Sequence, residues 1–319
     1  MSAVKPLPVI NPAGAIVTAV RDTLTHVFPA GLRAVVLTGS LARGEGTWLY
    51  DQPGTRLAGD AEFFAIFDDG EALPSAARVA ALTQEMEHQL RANSITAKIG
   101  VSPVGPDYLR RLRPHIFAYE LLQHGQVICG DPRVLELVHL FASAAIPLED
   151  GFRLLLNRMI ELIESVCAAP VERDAALPER VRHSAAKLWL DTATSYLLFQ
   201  GQYESTYRAR GAGLARSVAA GLATPIDAAH FAERVTMATS WKLGESASVP
   251  TVTVDDLAAQ VSDVQKLWRW ELGRLAPASG ASGDRELMRR WIAGQPLAAR
   301  ARGWAAVVKR HGVARSLAR

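Results

Sequence analysis

The sequence is poor in cysteine and has no long apolar run, and both shortages exclude whole classes of protein. Cys129 and Cys167 are its two cysteines, too few for a disulfide framework, and neither belongs to a CxxC or His-flanked zinc motif. No apolar stretch reaches the roughly 18 residues that a membrane-spanning helix needs. The N-terminus lacks the continuous apolar core of a signal peptide. We therefore expect a reduced, cytoplasmic protein without a membrane span.

Acidic residues are missing from the C-terminal end of the chain. The stretch from Arg289 to Arg319 holds eight Lys or Arg and no Asp or Glu. Such a tail can attract phosphates, nucleic acid or an anionic surface, or it can simply be a solubilising helix. Because no helix-turn-helix or other named nucleic-acid motif is present, a nucleic-acid polymerase or binder is the weakest hypothesis. The oligomeric state stays open.

Hydrophobic periodicity predicts two kinds of architecture in one chain of 319 residues. Strands are expected over 33–38, 60–67 and 95–104, with helices over 13–28, 75–92 and 109–124. Beyond about Pro147 the pattern favours helices alone, over 150–168, 179–200, 225–241, 255–275, 284–292 and 296–309. We predict an α+β protein, with a small mixed sheet in a domain at 1–146 and an all-helical domain at 147–319.

The residues that carry chemistry follow two of these strands. Gly39-Ser40 ends the first strand, where backbone N–H groups and a hydroxyl can hold phosphate oxygens. Asp60 and Glu62 stand two apart on the second strand and therefore point the same way. Such a carboxylate pair is suited to Mg²⁺, which prefers hard oxygen ligands.

This arrangement resembles the DNA polymerase β-like nucleotidyltransferase superfamily, in the small bacterial two-domain form. The resemblance covers about residues 15–135. It rests on the segments VVLTGSLARGEGTW, LAGDAEFFAIF and RRLRPHIFAYELLQHGQVICGDP. It implies that Gly39 and Ser40 contact a nucleoside triphosphate and that Asp60 and Glu62 bind Mg²⁺. It also implies that a basic residue of the helical domain, here Lys187, meets the triphosphate. As the alternative, Lys187 would pair with Asp191 one turn on.

Two departures from the family pattern affect the expected site. Nineteen residues separate Ser40 from Asp60, more than usual, which predicts an inserted loop at the mouth of the site. The strand that often holds a third carboxylate reads Ile95-Thr-Ala-Lys-Ile-Gly here and has no acid. Glu120 is our candidate for a substitute acid or general base.

The expected reaction is Mg²⁺-dependent transfer of a nucleoside monophosphate to an unknown acceptor, either a small hydroxylated molecule or a protein side chain. Arg43 is expected to reach a phosphate or to face solvent. The polar aromatic segment from Tyr203 to Arg210 is interpreted as a loop for the acceptor or base, or as the start of a surface helix. The alternative hypothesis is a non-catalytic nucleotide-sensing or interaction protein on a degraded transferase scaffold, supported by the missing third acid.

Overall fold

The computed structural model describes residues 11–51, 54–168, 176–245, 252–276, 283–301, 303 and 305. The elements up to Gly130 are α1 (Pro12–Val27), β1 (Leu32–Thr38), α2 (Gly39–Ala42), β2 (Trp48–Asp51), β3 (Gly54–Phe67), α3 (Ala76–Ala92), β4 (Ile95–Val104), α4 (Pro106–Arg110), α5 (Ile116–His124) and β5 (Gln126–Gly130). The later helices are α6 (Leu148–Cys167), α7 (Glu179–Phe199), α8 (Tyr207–Ala219), α9 (Ala228–Lys242), α10 (Val254–Leu275) and α11 (Asp284–Gly294). The predicted α+β class is confirmed.

The described strands form one sheet in the order β2-β3-β1-β5, with β4 paired to β3. The long strand β3 runs antiparallel to β1 and β2 and parallel to β4. Because β3 has β1 on one side and β4 on the other, side chains on its middle residues are flanked by both neighbours.

The sheet is covered on both faces. Successive side chains of β1 point to opposite faces, and they are buried on each. Val35 packs in a core with Ile16 of α1 and Met86 of α3. Val36 packs on the opposite face, in a core that includes Leu121 of α5. Burial on both faces fixes the register of β1 and β3, since a shift by one residue would move apolar side chains out of both cores.

The helical part is organised around α7, whose side chains are buried on nearly all sides. Its Tyr196 belongs to a core with Leu155 of α6, Phe231 of α9 and Val264 of α10. A helix enclosed in this way is held by tertiary packing more than by its own propensity. In the part of the chain that the structure describes, no helix is both long and apolar enough to cross a bilayer.

The prediction of a loop over 41–59 is wrong for most of that segment. Strand β2 forms a hairpin with the start of β3, in which Trp48 lies opposite Leu57 and Asp51 opposite Gly54. The prediction failed because polar and turn-forming residues dominate this segment, so its strand pattern is weak. The long spacer is therefore largely ordered sheet rather than an inserted loop.

Two further segments differ from prediction. The single helix expected over 109–124 is two helices, α4 and α5, because Pro114 lies between them and a residue before proline is disfavoured in the helical region. The segment from Tyr203 becomes helix α8 at Tyr207, where the Thr206 hydroxyl accepts a hydrogen bond from the amide of Ala209. In the helix expected over 296–309, residues 297–301, 303 and 305 are helical, while the rest of the basic tail, at 302, 304 and 306–319, lies outside the described residues.

Candidate functional site

The turn at Gly39 lies directly beneath the carboxylate of Glu62. Strand β1 ends at Thr38, which is paired with Glu62 of β3, and the Thr38 hydroxyl donates to the Glu62 carbonyl at 3.3 Å. Gly39 has φ +68°, and a Cβ built on it would lie 2.2 Å from Oε2 of Glu62. Only glycine combines this backbone conformation with so close an approach. The structure thus brings the Gly-Ser turn and the second acid of the pair together.

Asp60 and Glu62 lie on the same face of β3, and both are exposed. Across from them on β4, Lys98 is opposite Asp60 and Gly100 is opposite Glu62. The Lys98 Nζ atom lies 3.3 Å from Oδ2 of Asp60. Among the residues that the structure describes, no group of three or more His, Cys, Asp or Glu is arranged to hold a metal ion. On β4, where the family pattern has a third carboxylate, Lys98 therefore faces Asp60.

The carboxylate of Glu62 has a raised pKa. The main cause is loss of solvent around the group, followed by the negative charge of Asp60, with Glu120 adding a smaller contribution in the same direction. Arg43 and Lys187 oppose the shift. The carboxylates of Asp60 and Glu62 therefore repel each other. Lys187 of the helical part is near enough for its positive charge to act on Glu62.

Arg43 points into the protein rather than toward a free phosphate position. Only 6% of its side chain is exposed, and its guanidinium is enclosed by two carboxylates. Nε donates to Glu45 at 3.1 Å, and Nη1 donates to Oε2 of Glu120. Such charge-assisted pairs with good geometry hold a buried guanidinium firmly.

Glu120 has both carboxylate oxygens engaged. Oε2 accepts from Arg43, while Oε1 accepts from the Tyr203 hydroxyl at 2.8 Å and from Nη2 of Arg210 at 3.3 Å. Two arginines and a tyrosine therefore satisfy the side chain. This geometry favours a structural role for Glu120 at the junction between the sheet and the helices.

Glu45 ties the sheet to the start of α8. Its carboxylate accepts hydrogen bonds from the amides of Tyr207 and Arg208, both at 3.0 Å, where a negative charge also favours the helix dipole. Beside it, the Thr47 hydroxyl donates to the carbonyl of Lys242 at 2.8 Å. No local sequence pattern marked this role of Glu45, because the two amides that it binds stand more than 160 residues away along the chain.

Lys187 does not form the pair with Asp191 that was the alternative expectation. Asp191 instead accepts from Nε of Arg158 at 2.7 Å. The Lys187 Nζ atom lies 3.8 Å from Glu161, and 30% of its side chain stays exposed. Lys187 therefore keeps a surface that a ligand can reach.

A cleft of about 440 Å³ lies between β3 and helices α6 and α7. Arg56 and Ala58 of β3 line one side, and Arg180, His183 and Lys187 of α7 line the other. Ala58 precedes Asp60 by two residues on β3, although the pairing of β3 with β4 is irregular between Arg56 and Asp60. The cleft therefore begins close to the acid pair along the strand, and Lys187, which lines it, is near enough for its charge to act on Glu62.

The imidazole of His183 lies in a positive electrostatic environment. Burial lowers its pKa to about 4, and the charges of Lys187, Lys242, Arg158 and Arg56 add to the shift. The ring also packs edge-on against Trp241, with centroids 4.8 Å apart. His183 is therefore neutral at physiological pH, although it lies among cations. Sequence reasoning missed this residue, since a lone histidine on a helix carries no signal.

The site combines a Gly-Ser turn beneath the Glu62 carboxylate, the neighbouring carboxylate of Asp60, and a cleft lined by three cationic and two acidic side chains. Hydroxyl and cationic groups of these kinds bind phosphate oxygens in proteins, and carboxylates are the ligands that Mg²⁺ prefers. No protein-family model and no curated protein matches this chain.

Proposed function

We propose that this chain is a Mg²⁺-dependent nucleotidyltransferase, which moves a nucleoside monophosphate from a nucleoside triphosphate to an acceptor hydroxyl. The observation that carries the proposal is the contact between the Gly39 turn and Glu62, with Asp60 on the same strand face. It supports the function because phosphate binding and cation binding are needed at adjacent positions in such a reaction.

The Gly39-Ser40 turn is suited to the triphosphate. The Ser40 hydroxyl can donate to a phosphate oxygen, and a phosphate that approaches the Gly39 backbone moves the exposed Glu62 carboxylate aside. The turn lies at the end of β1, whose neighbours in the sheet hold it rigidly. A rigid turn loses little entropy when the nucleotide binds.

The acid pair fits a divalent cation by its chemistry. Asp60 and Glu62 supply hard oxygen donors on one face, and their mutual repulsion is part of what raises the pKa of Glu62. When bound, Mg²⁺ would neutralise charge on the transferring phosphate and orient it. Lys98 is 75% exposed, so its side chain can swing away from Asp60 when a cation binds.

The transfer itself follows from these positions. The acceptor oxygen attacks the α-phosphorus, a new P–O bond forms, and the bond to the β-phosphate bridging oxygen breaks. Pyrophosphate leaves with the bond's electron pair, and the acceptor hydroxyl proton passes to solvent or to a nearby base. Lys187, whose charge acts on Glu62, adds positive potential beside the acid pair.

A second candidate function is a nucleotide-binding protein that has lost catalysis. The ion pair between Lys98 and Asp60 favours it, because a lysine stands across from the first acid. The engagement of Glu120 by Arg43 and Arg210 also leaves that carboxylate without a free oxygen for the reaction.

Calorimetry with the four common nucleoside triphosphates, with and without Mg²⁺, tests the proposal. We expect one triphosphate to bind in a Mg²⁺-dependent manner to the wild type, and the Asp60→Asn/Glu62→Gln variant to lose that dependence. Asp22→Asn, on the exposed face of α1, is the matched control. Binding with pyrophosphate release supports the transferase, whereas binding without release in a screen of sugar, amino sugar and protein acceptors supports the second candidate. No binding of any triphosphate contradicts both.

A further inference from the structure

Along strand β3, Asp60 stands between the residues that line the cleft and the residue that meets the Gly39 turn. Gly39 meets β3 at Glu62, while the cleft is lined by Arg56 and Ala58, which precede Asp60 on the same strand, where its pairing with β4 is irregular. The four residue steps from Ala58 to Glu62 span at most about 13 Å in an extended strand. That length is enough for two separate binding positions along one surface.

The order of these positions along β3 bears on the side from which an acceptor can attack the phosphorus. In nucleotidyl transfer the attacking and leaving oxygens lie on opposite sides of the phosphorus, roughly in line. If the triphosphate tail lies at Gly39 and the α-phosphate near Asp60, the attacking group must come from the side of Ala58. The cleft is therefore on the acceptor side.

The charges in the cleft favour an anionic ligand. Its two carboxylates already have cationic partners, with Glu161 beside Lys187 and Glu179 3.8 Å from Arg56. Arg180 lines the cleft and forms no ion pair within the described part of the chain. A cationic amino sugar would meet net repulsion here, whereas a phosphate would be attracted.

His183 adds a neutral hydrogen-bonding group to this wall. Charged groups face it from every packed element: Arg158 from α6, Lys187 from α7, Lys242 from α9 and Arg56 from β3. Its ring makes no side-chain hydrogen bond with the described residues, and it lies at the cleft surface. A ring N–H can therefore donate to an anion, whose charge would in turn favour the protonated imidazole.

We propose that this cleft is the acceptor subsite and that it takes a hydroxylated compound bearing a phosphate, held by Lys187, Arg180 and His183. The identification of the ligand as an acceptor rests on the proposed function, but the binding of a phosphate here requires neither Asp60 nor Glu62. Lys187 accordingly serves the acceptor rather than the leaving phosphates.

The pKa of the His183 ring, followed by NMR in the full-length protein, tests the proposal. The resonance is assigned by its loss in His183→Asn. The probes are glucose 6-phosphate, inorganic phosphate, tripolyphosphate, glucose and glucosamine. We expect glucose 6-phosphate and inorganic phosphate to raise the pKa of His183 by at least about one unit, because a bound anion offsets the surrounding cations. Glucose and glucosamine should leave it unchanged.

Substitutions at two lysines test whether glucose 6-phosphate binds in the cleft. Lys187→Gln should weaken glucose 6-phosphate binding about tenfold or more, whereas the control Lys266→Gln, on the exposed side of α10, should leave it unaltered. A shift caused by tripolyphosphate alone would assign the cleft to the nucleotide and overturn the proposal. A shift caused by glucosamine, or no shift with any phosphate, would also overturn it.

The failure of this proposal can be distinguished from failure of the proposed function. The Asp60→Asn/Glu62→Gln variant should retain the His183 response to glucose 6-phosphate while losing Mg²⁺-dependent nucleotide binding. If phosphates shift His183 but no triphosphate binds the wild type, the anion site stands and the transferase assignment fails. If triphosphates bind and glucose 6-phosphate does not, nucleotide binding stands and the anion site in the cleft fails.

Discussion

The ammonium group of Lys98 lies 3.3 Å from the carboxylate of Asp60, across the parallel pair of strands β3 and β4. A lysine in this position competes with any cation that Asp60 would bind. Lys98 also offsets part of the repulsion between Asp60 and Glu62.

Removing this competitor should strengthen cation binding. We expect Lys98→Met to tighten Mg²⁺ binding in the presence of nucleotide by about two- to fivefold, the range that an exposed ion pair allows. Isothermal titration with Mg²⁺ measures the change, with Lys266→Met as control. Weaker Mg²⁺ binding in Lys98→Met would mean that the lysine helps to build the nucleotide site instead.

Gly39 should tolerate no side chain. Gly39→Ala strains a residue at φ +68° and pushes the exposed carboxylate of Glu62 away from its place over the turn, so we expect a loss of about 1–3 kcal/mol in stability, mainly from the backbone, and a loss of nucleotide binding. Urea denaturation and nucleotide calorimetry measure the two effects.

Two other glycines separate steric contact from backbone strain. Gly44 has φ +71° with open space around it, so Gly44→Ala should cost about 1 kcal/mol of stability and keep nucleotide binding. Gly59→Ala, in open space without a positive φ, should change neither. Equal loss of nucleotide binding in Gly39→Ala and Gly44→Ala would argue against a special role for the Gly39 turn.

Glu120 should matter for stability more than for chemistry. Glu120→Gln leaves the buried guanidinium groups of Arg43 and Arg210 without their shared carboxylate, and we expect a loss of about 3 kcal/mol. Urea denaturation measures it, and Glu136→Gln, at an exposed pair with Arg133, should change stability by less than about 0.5 kcal/mol. Unchanged stability with lost turnover in Glu120→Gln would restore its expected role as an acid or base.

The buried carboxyl of Glu271 should make the protein less stable as pH rises. Burial raises its pKa to about 8, and neither carboxylate oxygen has a hydrogen-bond partner among the described residues. Because the folded pKa exceeds the unfolded value near 4.5, its contribution is fully present below pH 4.5 and is lost as pH rises through 8. Over that interval the free energy of unfolding should fall by up to about 1.4 kcal/mol per pH unit.

Glu271→Gln removes this dependence and provides the control for all other titrating groups. The difference in unfolding free energy between wild type and variant, measured in urea at pH 5, 7 and 8.5, should shift in favour of the variant as pH rises. A difference that stays constant with pH would show that Glu271 keeps an ordinary pKa in the folded state.

The sequence predicted the parts of the site that depend on local geometry. Asp60 and Glu62 share a face because a strand alternates, and the lack of an acid on β4 was visible directly from its residues. The surroundings of Arg43 and Glu120 could not be predicted, because Tyr203 and Arg210 come from a helix boundary that only tertiary packing brings to the sheet. The cleft at His183 escaped prediction for the same reason.

The hairpin of β2 and β3 shows a different limit. Trp48 and Leu57 face each other in it, but polar and turn-forming residues between them hid the alternation. Pairing with the rest of β3 overrides this weak local preference, as is common for strands.

The proposed transferase requires that Asp60 and Glu62 hold a divalent cation together with a nucleotide. Electron paramagnetic resonance with Mn²⁺ in place of Mg²⁺ counts bound cations directly. We expect that one of the four nucleoside triphosphates brings a Mn²⁺ ion tightly onto the wild type and that Asp60→Asn/Glu62→Gln abolishes this ternary complex. An equally tight ternary complex in the double variant, or none in the wild type with any triphosphate, would contradict it.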